Sequence, residues 1–174
     1  MSCLSSAVAQ LALGLIPNAA SLPPCNPSVS SPKAQFLAIP RSSLNQLVKT
    51  CPFCAPPPEQ VLVEGSVAMV LWDSNPLNPG HVLIVSRRHV GSWFESTTAE
   101  RDEILRLADD ACRILTERHS PDGFNLGIND GAAAGQTVPH LHLHLIPRYR
   151  GDIAEPRGGV RWIIPDRAAY WNKP

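Results

Sequence analysis

The run Pro139-His140-Leu141-His142-Leu143-His144-Leu145-Ile146 constrains this chain more than any other stretch. Imidazole and leucine alternate with a period of two, which suits a half-buried β-strand and no helix. A strand over residues 138–146 sends His140, His142 and His144 to one side, spaced about 6.5–7 Å apart. Leu141, Leu143 and Leu145 then pack on the core. A single histidine on a strand is ordinarily a hydrogen-bonded side chain and nothing more. Half of the chain's 6 histidines falling in this one row points instead to a ligand or a reaction.

The flanking sequence supplies the rest of a sheet. Val61-Leu62-Val63 and residues 67–72 are apolar runs split by Glu64-Gly65-Ser66, which reads as a hairpin. Turn chemistry at Asn75-Pro76 and Asn78-Pro79-Gly80 leads into a third, buried strand over His81-Val82-Leu83-Ile84-Val85. Thr97 and Glu100 have the spacing of a capping box. Ile104, Leu107, Ala108, Ala111, Cys112 and Leu115 follow at helical spacing, giving one apolar face. Cys112 belongs to that face and reads as packing. Ser120-Pro121-Asp122-Gly123 ends the helix, and a further strand is expected over residues 124–129. The fold class is α+β: an antiparallel sheet of about five strands carrying one main helix.

Residues 1–58 contain Lys33, Arg41 and Lys49 and no acidic residue; all 15 acidic residues lie from Glu59 onward. Ten of the 18 prolines also precede Glu59, and proline removes backbone donors, so this region is expected to be irregular apart from a short helix around Ser42–Lys49. The chain is therefore divided into an N-terminal extension, 1–50, and a domain over 51–174 that ends in a C-terminal tail. Serine-rich, acid-free sequence also suits an organelle targeting segment, but the extension is poor in arginine, and a cytoplasmic location is the reading taken. A formal net charge of +0 gives no reason to expect duplex nucleic acid or an anionic membrane as partner. No stretch approaches the roughly 20 apolar residues of a membrane span. Among the 5 cysteines, Cys51 and Cys54 form a CxxC, which in a reducing compartment points to metal rather than a disulfide.

Just upstream of the histidine row, Gly131-Ala132-Ala133-Ala134-Gly135 has little side-chain bulk, so backbone N–H groups can approach an anion. Gln136 and Thr137 add side-chain donors. Alone this is a loop; beside the histidines it reads as a phosphate cradle next to a nucleophile.

Gly135-Gln136-Thr137-Val138-Pro139-His140-Leu141-His142-Leu143-His144-Leu145-Ile146-Pro147-Arg148 resembles the signature of the histidine-triad superfamily. Gln136-Thr137, Pro147-Arg148 and Gly151-Asp152 are most similar to its dinucleoside polyphosphate hydrolases, including bacterial members, and Pro79-Gly80-His81 matches a second landmark. The likeness runs from about Cys51 to Asp152 and implies the histidine-triad fold, with a nucleotide as substrate. It implies that His142 attacks the α-phosphate and forms a nucleotidyl-histidine, which water or another acceptor resolves. It further implies that His144 and Gln136 hold non-bridging oxygens, assisted by Thr137 and the Gly135 backbone. Asn129 would lie near the phosphates, Asp73 would grip the ribose hydroxyls, and His81 would support the triad. Asp73 also suits the start of a turn. Cys51, Cys54, His89 and His140 match positions that bind structural zinc in several bacterial members; no organic cofactor is expected. A homodimer is implied as well. Two other readings of the histidine row compete: a metallohydrolase that holds a catalytic metal there, and a nucleotide-binding adaptor with little turnover. Within the favoured class, dinucleoside polyphosphate hydrolysis, phosphoramidate hydrolysis and phosphorolysis share the same nucleotidyl-enzyme.

Overall fold

The computed structural model describes residues 51–172. The N-terminal extension, with its expected Ser42–Lys49 helix, lies outside the described residues. Five antiparallel strands, β1 (Val61–Glu64), β2 (Ala68–Trp72), β3 (Val82–Ser86), β4 (Gly123–Gly127) and β5 (His142–Arg148), form one sheet in the order β1-β2-β3-β5-β4. One long helix, α1 (Thr98–His119), packs on it. The α+β class expected from the sequence is the observed one.

Strand alternation divides the sheet into two faces. Ala68, Val70, Val82, Ile84, Leu143 and Leu145 meet Ile104, Leu107, Ala108, Ala111 and Leu115 of α1 in the main core. The opposite face carries Met69, Leu71, Leu83 and Val85, covered by Phe53. On β5 that same face presents His142 opposite Val85 and His144 opposite Leu83. The leucines of the alternating run thus anchor the strand, and its histidines are left for the far side.

The helix begins where the sequence indicates. Thr97 accepts from the Glu100 N–H while Glu100 accepts from the Thr97 N–H, a closed capping box. Glu100 also takes two hydrogen bonds from Arg88, at 2.9 and 2.8 Å. One turn further on, the Glu103 carboxylate accepts from the N–H groups of Ser66, Val67 and Ala68 and from the Ser66 hydroxyl, tying α1 to the β1–β2 turn. Between β2 and β3 the chain turns through Gly80 at φ 88°, where a Cβ would stand 3.0 Å from the His119 ring and 3.1 Å from Pro147. Glycine is required there on both counts.

Strand limits differ from the sequence expectation at β4 and β5. The strand expected over residues 124–129 ends at Gly127; beyond it, the Asp130 carboxylate accepts from Ser92 Oγ and the Trp93 N–H, which draws the chain off the sheet. The strand expected over 138–146 runs instead from His142 to Arg148. Before it, the His140 N–H bonds to the Val138 carbonyl and the Leu141 N–H to that of Val90, so the backbone at Pro139–Leu141 leaves the ladder. At the other end Pro147 stays within β5. Its carbonyl accepts from Asn78 Nδ2, on the side where β3 has already ended, so its missing N–H costs no ladder bond.

Candidate active site and metal centre

Two side-chain clusters occupy the histidine face. The first contains His142. Its Nδ1 lies 2.7 Å from the His140 carbonyl oxygen, which can only accept. The Nδ1 proton is therefore fixed there, and Nε2 carries the lone pair, the form a nucleophile needs. His142 is almost fully buried, with the ring of Phe53 edge-on at 5.2 Å on one side and that of His144 at 5.0 Å on the other.

A second chain of hydrogen bonds sets His144. The Leu77 N–H donates to His81 Nδ1 at 3.3 Å. Because that nitrogen accepts, His81 carries its proton on Nε2 and donates to His144 Nδ1 at 3.1 Å. His144 must then hold its own proton on Nε2, as a donor. Burial lowers the pKa of His81 against the opposing pull of Asp73. Burial, with His142 and His81 adding to it, pushes His144 down to about 4. Both imidazoles are neutral near pH 7, and the tautomer chain holds.

Asp73, His81, Asn129 and His144 line one cleft of about 630 Å³, within the range of small-molecule sites. Asp73 Oδ1 accepts from the Asn75 N–H at 2.7 Å, so the residue does start a turn, while Oδ2 lies 3.4 Å from His81 Nδ1. Turn formation and a place in the cleft are compatible. Gly135, Gln136 and Thr137 are not among the cleft's lining residues. The loop closes as a tight turn, with the Gly135 N–H on the Ala132 carbonyl and the Gln136 N–H on that of Gly131. Gln136 bonds the Gly91 carbonyl at 2.7 Å through Nε2 and the Gly131 N–H at 2.9 Å through Oε1. The Gln136 side-chain amide and the Gly135 and Gln136 N–H groups, donors expected from the sequence to meet phosphate, are thus engaged by backbone carbonyls.

The second cluster joins Cys51, Cys54, His89 and His140, whose ligand atoms all lie within 4.8 Å of one another. His140 Nε2 is 2.7 Å from the Ser86 carbonyl oxygen, so it donates there and leaves Nδ1 free to accept. That Nδ1 stands 3.4 and 3.6 Å from the two sulfurs, and His89 Nδ1 is 3.2 Å from Cys54 Sγ. A tetrahedral ion with ordinary thiolate and imidazole bond lengths puts S and N about 3.6 Å apart. The four side chains fit such a cation. Burial, with the Cys51 thiol beside it, pushes Cys54 up to about 11, so a bound cation must displace its proton.

Three contributors were not read from the sequence. Phe53, buried inside the CxxC, packs against both His140 and His142; an aromatic between two ligands was its only signal. Ser86 orients His140. Val160, Trp162 and Ile163 of the C-terminal tail line the cleft, a role that nothing in the sequence of that stretch indicates.

Residues 56–151, more than half of the chain, match the profile of a family described as HIT domain. An AP-4-A phosphorylase of Mycobacterium tuberculosis is 34% identical over 93 residues, 53% of this chain and 48% of that protein. A bis(5'-adenosyl)-triphosphatase of Saccharomyces cerevisiae is 38% identical over 115 residues, 66% of this chain and 53% of that protein. The chain spans about half the length of these curated relatives. Among solved structures, a Zn-bound histidine triad family protein from Mycobacterium smegmatis is similar with a TM-score of 0.55 and 30% identity, covering 62% of this chain and 81% of that one.

Proposed function

This chain belongs to the HIT domain family, and we propose that it is a nucleotide hydrolase or transferase acting at the α-phosphate of a dinucleoside polyphosphate through a nucleotidyl-His142 intermediate. The observation that carries this reading is the fixed Nδ1–H of His142 on the His140 carbonyl, which leaves Nε2 unprotonated. The Nε2 lone pair attacks α-phosphorus as the bond to the bridging oxygen breaks, and the departing phosphate takes that electron pair. Water or inorganic phosphate then attacks the same phosphorus, the P–N bond breaks and His142 is restored. His144 offers its Nε2–H to a non-bridging oxygen, with Asn129 beside it. Asp73 accepts from the ribose hydroxyls. Gln136, Thr137 and the Gly135 backbone join the phosphate site once Gln136 exchanges its bond to Gly91 for one to the substrate.

Similarity to a triphosphatase and to a phosphorylase supports this substrate class and leaves two acceptors, water and phosphate, to be separated. The test is turnover on a panel of dinucleoside polyphosphates, nucleoside phosphoramidates and nucleotide sugars, with and without added phosphate. Dinucleotide cleavage faster than phosphoramidate cleavage is expected. Nucleotide binding without turnover on any substrate would replace the enzyme with an adaptor.

Cys51, Cys54, His89 and His140 are proposed to hold structural zinc. Four protein ligands leave no open position, so the ion would supply a cross-link between the segment entering the sheet and the start of β5. The Zn-bound relative supports this reading. The free thiols of Cys51, Cys54 and Cys112 suit a reducing, cytoplasmic compartment. A homodimer is also proposed, since Leu105 of α1 leaves apolar surface to cover and β4 is an edge strand of the sheet; a monomer at micromolar concentration in light scattering would refute it.

A further inference from the structure

The C-terminal tail is built as a wall. Gly158 turns at φ 82°, where a Cβ would lie 3.1 Å from the Trp171 ring, and Gly159 backs onto β4 so closely that a Cβ there would stand 3.3 Å from Asn125 Nδ2. Arg157 stacks over Trp171 at 4.6 Å and Arg161 over Tyr170 at 5.0 Å. Arg161 also donates to the Arg167 carbonyl at 2.8 Å. Trp162 is held by its own N–H, which donates to the Arg157 carbonyl at 2.7 Å. These side-chain contacts hold the tail's own fold, and the close approach of Gly159 to Asn125 sets it against β4.

That position gives the cleft two apolar sides. Leu77, Leu126 and Ile146 line it from the sheet domain, and Val160, Trp162 and Ile163 line it from the tail. The tail's apolar side chains are not spent on the core: Trp162 keeps 37% of its surface exposed and Ile163 79%. Asp73, Asn129 and His144, polar groups suited to ribose and phosphate, line the same cleft together with Asn75, Asn125 and Arg148, and His142 lies behind His144 with ring centroids 5.0 Å apart. A slot with apolar walls and a sugar-phosphate end fits a flat heteroaromatic ring attached to a nucleotide.

Building on the nucleotide reading above, we propose that residues 158–163 form the base-binding wall of the cleft, with Trp162 as a specificity-determining residue for a purine base. Purines present more ring area than pyrimidines to an aromatic neighbour, and a base–aromatic contact is worth about ten- to hundredfold in affinity by alanine substitution. The base belongs either to the nucleotide that remains on His142 or to the one that leaves, and the two are separable by ligand choice.

The test compares the full-length chain with Trp162→Ala, Trp162→Phe and Ile163→Ser. AMP and CMP binding are measured by calorimetry, and kcat and KM with diadenosine triphosphate. Wild-type protein should bind AMP more tightly than CMP. Trp162→Ala should lose that preference and raise KM about tenfold or more with kcat little changed, while Trp162→Phe retains most of both. Ile163→Ser, at an exposed position that does not endanger folding, should raise KM in the same direction. Loss of AMP affinity assigns the wall to the retained nucleotide; loss confined to the dinucleotide assigns it to the leaving one. If wild-type protein binds and turns over nucleotide while the three variants match it on every ligand, the wall is overturned and the nucleotide reading stands. If wild-type protein binds no nucleotide, both fall.

Discussion

Replacing Glu103 with glutamine tests the contact that joins α1 to the β1–β2 turn. Burial by itself raises the Glu103 carboxyl, but the N–H groups of Val67, Ser66 and Ala68 and the Ser66 hydroxyl outweigh it and hold the carboxyl at about 2. The gap to an ordinary glutamate near 4.3 corresponds by linkage to about 3 kcal/mol of stability at neutral pH. A glutamine keeps one acceptor oxygen but turns an NH2 toward donors, so Glu103→Gln is expected to cost about 2–3 kcal/mol. For a domain of this size that lowers Tm by about 10 °C. Because the folded pKa is depressed, this stability is present above the unfolded pKa and is lost as pH falls from about 4.5 toward 2. Thermal melts of wild type and Glu103→Gln from pH 7 to pH 3 should therefore draw together, with roughly half of the neutral-pH gap left at pH 3 and turnover at 20 °C unaffected. Equal Tm at pH 7, or a constant offset across the whole range, would refute the assignment.

Cys51→Ser with Cys54→Ser should lose the metal and lower Tm, yet keep measurable turnover at low temperature, because a closed site does not take part in the chemistry; metal analysis with melting curves and a cold assay checks this. If the double variant stays folded but is dead and zinc restores wild-type metal-depleted protein from zero, a metallohydrolase is the better reading. His81→Phe removes the donor to His144 Nδ1 and frees the His144 tautomer, so kcat should fall about tenfold or more with KM less affected; equal activity would dispose of the tautomer chain. Gly80→Ala should destabilise by about 1–3 kcal/mol, from its positive φ and the close approach of His119 and Pro147, read as a drop in Tm.

The sequence was most legible where periodicity and caps are local. Alternation in the histidine run placed Leu143 and Leu145 in the core and His142 and His144 on the opposite face, and Thr97 with Glu100 marked the start of α1. Legibility failed where a distant partner decides. Nothing near Val138 indicates that the Leu141 N–H bonds to Val90 rather than to the sheet, so β5 was expected to begin too early. The same strand was expected to end at Ile146, whereas Pro147 stays in it with its carbonyl on Asn78, a partner far away in sequence. The CxxC, His89 and His140 were matched through family resemblance, and the structure brings their ligand atoms together. The residues that orient them, Ser86 and Phe53, carry no pattern of their own. The tail's role depends on how it folds back against Asn125, which no local rule specifies.

The proposed mechanism requires that His142 become covalently bonded to the nucleotide. Wild-type protein mixed with radiolabelled diadenosine triphosphate should be quenched within a turnover in alkali, which preserves a phosphorus–nitrogen bond, then digested and analysed by mass spectrometry. One adenylyl group is expected on the peptide containing His142, absent from His142→Ala, which should retain nucleotide affinity within roughly tenfold while turnover disappears. Undiminished turnover by His142→Ala would contradict the mechanism, as would an adenylyl group found on any other residue.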